Sequence, residues 1–246
     1  MTSLPQPASF LRDILAVSAA QPTQPAGWRR RSVLASAGML LGAAATWAPP
    51  ARAATSWERT GATVDAQRLV RWAVASADHQ GMPFAVIDKP AATIHVFGPG
   101  GDHAGSAPVL LGSALGDHSA PGIGQKPLSQ VRPHERTTPA GRFVSEPGSN
   151  LQGHDIVWID YEAAVSLHRV RGAPAERRVQ RLASPVLAER RISNGCVNAP
   201  TAFYNRHIAP WLGREAGVVY VLPDSEPFAA FFPAADAAYP LARLPS

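Results

Sequence analysis

The sequence predicts a mainly β domain with a few helices. Between residues 83 and 223, short apolar runs of strand length recur, and turn-forming residues separate them. A clear helical period precedes these runs, and the chain lacks the regular alternation of strands and helices that builds parallel sheets. The 246 residues are sufficient for one sizeable domain with additional tails.

The first element is a helix from Asp65 to His79. Leu69, Trp72 and Ala73 share one face of it, and Gly81 ends it. Strands are then predicted over Pro83–Asp88, Thr93–Phe97, Val109–Leu111, Arg142–Ser145, Ile156–Asp160, Val165–Val170 and Val218–Leu222.

Three remaining segments complete this interpretation. Residues Gly116 to Pro139 are rich in Gly, Pro and His, and loops of that length are often functional or mobile. A second helix is predicted from about Ala199 to Trp211, with Asn198 as its N-cap. The residues from Pro223 onward form a tail that either wraps around the domain or is loose.

The N-terminus has the pattern of an export signal. Arg29-Arg30-Arg31 is followed by a short apolar run, Ser32 to Trp47, and Ala51-Arg52-Ala53 supplies a cleavage site. The run is too short and too rich in small residues for a membrane span. We therefore expect a signal over residues 1–53, of the twin-arginine or the Sec type, and a periplasmic mature protein without a membrane span.

The basic character of the chain belongs largely to this signal. Residues 1–53 contain five arginines and one aspartate, a net charge of +4 out of the +5 of the whole chain. The mature protein is then almost neutral, so the composition gives no support for nucleic-acid binding.

Cys196 is the only cysteine of the sequence, and it lies in Ser193-Asn194-Gly195-Cys196-Val197-Asn198. In an oxidising compartment a single thiol has no intramolecular disulfide partner, so it is either buried and inert or retained for use. A helix start directly after it would stabilise a thiolate, and Gly195 allows close backbone approach to a developing oxyanion. These features favour a nucleophile.

A nucleophilic thiol needs a base, and His168 at the end of an apolar strand is the best candidate. The other histidines lie in loops, in helices or in a strand where a structural role is more ordinary. A zinc site is the less favoured alternative, because the chain lacks close ligand pairs of metal-site spacing.

The ordered motifs resemble those of the L,D-transpeptidases with a YkuD-type catalytic domain. Ser193 to Asn198 is similar to the family's Ser-His-Gly-Cys-hydrophobic-Asn signature. Thr138 to Phe143 resembles its Thr-Pro-x-Gly-x-Phe stretch, and Leu167-His168 resembles its strand-borne histidine. The opening strands agree as well, so the resemblance covers about residues 83–223.

The resemblance implies a YkuD-like β-sandwich or barrel-type domain that acts without a cofactor on peptidoglycan stem peptides. Cys196 would form a thioester, His168 would be the general acid and base, and the backbone of Asn194, Gly195 and Cys196 would bind the oxyanion. The products would be 3→3 cross-links of the cell wall, and carbapenems would acylate the enzyme. Ser193, Asn198 and Arg191 are the expected substrate contacts.

This sequence departs from the family pattern at two places. Asn194 stands where the signature has histidine, and an amide cannot carry a proton at neutral pH. The stretch from His168 to Ser193 is longer than usual and contains seven arginines, which form either a solvated helix face or a carboxylate-binding lid. The carbonyl of Arg169 is the expected orienting group for His168.

The predicted organisation is a signal (1–53), an N-terminal helical lead (54–82), a catalytic domain (83–223) and a Pro/Ala-rich tail (224–246). Two alternatives to a transpeptidase stay open: a hydrolase on the same fold, with water as acceptor, and an inactive cell-wall-binding protein. The acyl acceptor and the oligomeric state are left open.

Overall fold

A computed structural model describes residues 57, 60–172 and 174–241. The predicted signal and its cleavage site lie outside the described residues. The described chain is mainly β with a few helices, as predicted.

The strands and helices are short. The strands are β1 (Phe84–Asp88), β2 (Thr93–Phe97), β3 (His103–Pro108), β4 (Leu111–Gly112), β5 (Gly141–Ser149), β6 (Asp155–Asp160), β7 (Val165–Arg169), β8 (Arg191–Ser193), β9 (Val197–Ala199) and β10 (Gly217–Val221). The helices are α1 (Val64–Ser76), α2 (Arg178–Leu182), α3 (Thr201–Phe203), α4 (Phe228–Phe231) and α5 (Pro233–Ala238). Short 3₁₀ turns occupy Ile123–Gln125, Leu128–Gln130, Pro133–Glu135, Pro174–Glu176 and Leu187–Arg190.

Eight strands form one sheet in the order β3-β2-β1-β10-β5-β6-β7-β9. The pairs β1–β10 and β7–β9 are parallel, and the other neighbours are antiparallel. Strands β4 and β8 form a separate parallel pair. Leu110, two residues after β3, exchanges two backbone hydrogen bonds of 2.9 Å with Asn198 of β9. The two edges of the sheet therefore meet, and the sheet is nearly closed.

The central strands are buried on both faces, because hydrophobic clusters lie on both sides of them. Ile87 and Val219 belong to the cluster inside the curved sheet. Their neighbours Val86 and Tyr220 belong to a second cluster, which α1 covers with Leu69. This alternation follows from the two-residue period of strand side chains and explains the continuous apolar runs of β1 and β10.

Buried Arg68 links α1 to the C-terminal segment. Its guanidinium donates to Asp65 at 2.7 Å, to the carbonyl of Tyr239 at 2.5 Å and to Asp236. It also lies 4.5 Å from the ring centre of Phe228. The described part of the tail, through α4 and α5, therefore wraps around the domain.

The helix predicted from Ala199 to Trp211 is wrong at its start and in its type. Ala199 belongs to β9, α3 has three residues, and a π-helical segment, Tyr204–Ile208, follows. Asn198 is a strand residue and not an N-cap, because β9 pairs with β7 before the chain turns at Pro200. Cys196 consequently precedes a strand, and no helix dipole begins at the thiol.

Among the described residues, no helix is long and apolar enough to cross a membrane.

Candidate active site

The parallel pairing of β7 and β9 assembles the site. Leu167 is opposite Val197, and His168 is opposite Asn198. Leu167 and Val197 are fully buried in the inner cluster. Successive strand side chains point to opposite faces, so His168 and Asn198 point away from the inner cluster. Ser166 and Cys196, which precede them by two positions, lie on the same face. Cys196 is the nucleophile that the sequence predicts.

The Cys196 side chain is half-buried and loosely held. Ser166 Oγ donates toward its Sγ at 3.6 Å, and Sγ donates toward the carbonyl of Ala164 at 3.7 Å. Sulfur is a weak donor and a weak acceptor, so these contacts orient the thiol without locking it. Ser166 was not identified from the sequence, although it precedes His168 by two residues and strand alternation places it on the same face.

Gly195 is required at its position. Its φ of +127° is a backbone conformation that side chains rarely allow, and a Cβ there would lie 2.7 Å from the carbonyl oxygen of Thr137. Thr138 Oγ1 donates to the Gly195 carbonyl at 2.8 Å and accepts from the N–H of Gly112 at 2.9 Å. The end of the long loop therefore supports the turn that carries the cysteine.

The buried hydroxyl of Ser193 bridges two backbone groups of this turn. It donates to the carbonyl of Cys196 at 2.6 Å and accepts from the N–H of Gly195 at 3.1 Å. The Gly195 N–H, predicted as an oxyanion donor, is thus engaged within the turn. Within the ranges that the structure covers, the N–H groups of Asn194 and Cys196 donate to no other residue, so they are the backbone donors left for an oxyanion.

The His168 ring is fixed by its neighbour. Its Nδ1 lies 2.7 Å from the carbonyl of Arg169, as expected, so Nδ1 carries the hydrogen and Nε2 keeps its lone pair. Burial lowers the pKa of His168, the Arg169 carbonyl opposes this shift, and the charges of Arg171 and Arg178 lower it further. The imidazole is therefore neutral at neutral pH and able to accept a proton.

Asn198 occupies the space beside both groups. It is fully buried, and its Nδ2 donates to the carbonyl of Cys196 at 3.3 Å and lies 3.5 Å from His168 Nε2. In the part of the chain that is described, His168 itself makes no hydrogen bond to the thiol. Asn198, predicted as a substrate contact, is placed to position the base and the turn.

Arg178 of α2 holds Asn198 in turn. Its Nε and Nη2 form a fork to the carboxylate of Glu176 at 2.9 and 3.2 Å, and its Nη1 donates to Asn198 Oδ1 at 2.7 Å. The arginine-rich segment therefore reaches the site through Arg178. No sequence pattern singled this arginine out, because its role depends on a hydrogen bond to a residue that is 20 positions away in the sequence.

The predicted substrate contacts Arg191 and Ser193 are turned into the protein. Arg191 Nη2 donates to Asp224 at 2.5 Å and to the carbonyl of Lys89 at 3.3 Å, and Ser193 is almost fully buried. Asn194 is exposed at the turn. Arg191 is therefore bound within the protein as an anchor of β8, and its role as a substrate contact stays a prediction.

We expect Arg178→Gln to raise the pKa of His168. The substitution removes one positive charge near the ring and leaves the charge of Glu176 no longer neutralised by Arg178, so both changes favour the imidazolium. The pKa should therefore rise. An NMR titration of the ring measures it, and Arg214→Gln, at an exposed arginine outside the site, is the matched control. An unchanged pKa would contradict the electrostatic coupling.

A scan of family models and a search of curated proteins found no match to this chain. Among the residues that are described, no group of three or more His, Cys, Asp or Glu side chains is arranged to hold a metal ion.

Proposed function

We propose that this chain is a cysteine acyltransferase of the L,D-transpeptidase class that acts on peptidoglycan stem peptides. One observation carries the proposal: a half-buried cysteine and a histidine share one face of two paired strands, and the histidine, whose Nδ1 is bound to a carbonyl, keeps Nε2 as its acceptor. The motif resemblance supplies the substrate class. The nearly closed sheet is compatible with the YkuD-like domain that this resemblance implies for residues 83–223.

In the first half-reaction His168 Nε2 takes the proton of the Cys196 thiol. The sulfur attacks a carbonyl at an L-configured centre of a tetrapeptide stem, and the N–H groups of Asn194 and Cys196 stabilise the oxyanion. The C–N bond to D-alanine then breaks, and His168 gives its proton to the departing amine. A thioester on Cys196 and free D-alanine result.

In the second half-reaction an amine of another stem attacks the thioester. A C–N bond forms, the C–S bond breaks, and the amine proton returns to the sulfur through His168. The proton transfers require His168 and Cys196 to approach more closely than in the unliganded site. Catalytic hydrogen bonds commonly shorten in this way when the substrate binds.

Carbapenem labelling tests the nucleophile. We expect the purified protein to gain the mass of one intact drug molecule, because opening of the β-lactam ring by a thiol expels no atoms. Cys196→Ala is the matched control and should gain nothing. An unlabelled protein, or an adduct that persists in Cys196→Ala, would contradict the proposal.

The same mass spectrum reads the mature N-terminus. We propose a periplasmic protein, and expression with the native N-terminus should yield a chain that begins near Ala54 after signal cleavage.

A second assay with purified sacculi separates the acyl acceptors: a transpeptidase yields 3→3 dimers, whereas a hydrolase yields only shortened stems. An inactive wall-binding protein would bind sacculi and show neither product nor drug adduct.

A further inference from the structure

A cavity of about 350 Å³ lies between the end of β7 and α2. The guanidinium-bearing residues Arg171, Arg177 and Arg178 line it, and Gly172 contributes backbone. A second cavity of about 400 Å³ shares Arg177 and continues along α2. Two adjoining cavities therefore occur in the segment in which this sequence is longer than the family pattern.

Two of the three arginines form no close ion pair with any residue that the structure describes. Arg178 is committed to Glu176 and Asn198. The side chains of Arg171 and Arg177 form neither a hydrogen bond nor an ion pair within the described ranges. A pocket with two uncommitted guanidinium groups is suited to an anion, because arginine binds carboxylates through paired, charge-assisted hydrogen bonds.

This cavity shares a wall with the candidate active site. Arg178 lines the cavity on one side and contacts Asn198 at 2.7 Å on the other, and Asn198 lies 3.5 Å from His168. The charges of Arg171 and Arg178 also act on the His168 ring. A ligand in the cavity therefore lies beside the reacting groups and can belong to the same substrate.

We propose that the cavity binds a carboxylate of the stem peptide, with Arg171 and Arg177 as its ligands. That the ligand is a stem peptide rests on the proposed function. That the cavity binds an anion rests on its arginines alone. The proposal replaces the expected contact at Arg191, whose guanidinium is bound to Asp224.

The test measures binding without turnover, in Cys196→Ala. The probes are a synthetic tetrapeptide, L-Ala-γ-D-Glu-diaminopimelyl-D-Ala, with all of its carboxyl groups free, and three forms in which one carboxyl group is amidated. Calorimetry should show that one amidation weakens binding by about tenfold, which identifies the carboxylate that the cavity holds.

The arginine variants test the site itself. Arg171→Gln and Arg177→Gln should each bind the unmodified tetrapeptide about tenfold more weakly. In these variants, the amidation that weakens binding to the parent should lose most of its effect. Arg214→Gln, which removes one exposed arginine elsewhere, should behave like the parent. The proposal is overturned if no amidation changes the binding affinity, or if none of the peptides binds. It is also overturned if amidation weakens binding equally in the arginine variants and in Arg214→Gln.

Carbapenem labelling separates this proposal from the proposed function. If the drug labels Cys196 but amidation has no effect, only the carboxylate pocket is wrong. If the drug does not label Cys196 while the arginines still discriminate acid from amide, the pocket stands and the nucleophile proposal fails.

Discussion

His168→Ala should slow carbapenem acylation of Cys196 by about 10²–10⁴-fold, the usual contribution of a positioned general base. The variant removes the imidazole that β7 presents beside the thiol-bearing end of β9. Nδ1 is committed to the Arg169 carbonyl at 2.7 Å, so Nε2 is the nitrogen that takes the proton. Stopped-flow fluorescence or time-resolved mass spectrometry measures the rate, and His154→Ala, at an exposed histidine in a loop, is the control.

The pH dependence gives this prediction a second readout. Burial and two arginines lower the pKa of His168, so the neutral ring persists to a lower pH than that of an ordinary histidine. The parent rate should therefore stay high as the pH falls, and decline only below about 6.5, the ordinary value. The rate of His168→Ala should lack this decline, because the titrating imidazole is gone. A variant within tenfold of the parent would show that another group is the base.

The sequence was sufficient to locate most of the sheet and the two residues on which the proposed chemistry rests. Apolar runs with β-branched residues predicted β2 to the residue and located β1, β6, β7 and β10, because these strands build the core. The single cysteine and the strand-borne histidine drew attention to Cys196 and His168. Both signals are local, and the structure places the two residues on adjacent strands.

The unpredicted features depend on pairing that is remote in sequence. Strand β3, His103–Pro108, contains few strongly apolar residues and is a strand because β2 binds it. The sequence predicts Asn198 as a helix cap because asparagine is a common N-cap residue, although its pairing with His168 and Leu110 makes it a strand residue. Arg178 and Arg191 belong to one arginine-rich segment, and composition cannot tell which of them reaches the site.

The second large effect is expected at Lys89, the residue after β1. Its Nζ is fully buried and donates to the carbonyls of Gly116 and Thr138 at 2.8 Å each and to Asp117 at 2.6 Å. Asp117 also accepts backbone N–H groups of the segment that follows β10, at 2.8 to 2.9 Å. Although burial acts to raise the pKa of Asp117, the Lys89 ammonium and these N–H groups hold it below its ordinary value.

Lys89→Met should lower the free energy of unfolding by about 3–5 kcal/mol, because it leaves a buried carboxylate without its counter-charge. Urea denaturation of the mature protein measures the change. Lys126→Met is the matched control. Its ion pair with Glu135, at 2.7 Å, is partly exposed to solvent, so its loss should destabilise the protein far less than Lys89→Met. The double variant Lys89→Met/Asp117→Asn should cost less than the sum of the single changes.

The substitution Lys89→Met should also affect the candidate active site. Lys89 holds the carbonyl of Thr138, and the hydroxyl of Thr138 holds the carbonyl of Gly195 at 2.8 Å, directly before the thiol. A folded Lys89→Met protein should therefore be acylated more slowly, while Lys126→Met keeps the parent rate. An unchanged rate in a destabilised Lys89→Met would show that the turn around Gly195 does not depend on Lys89. The buried ion pair would then stabilise the fold without positioning the nucleophile.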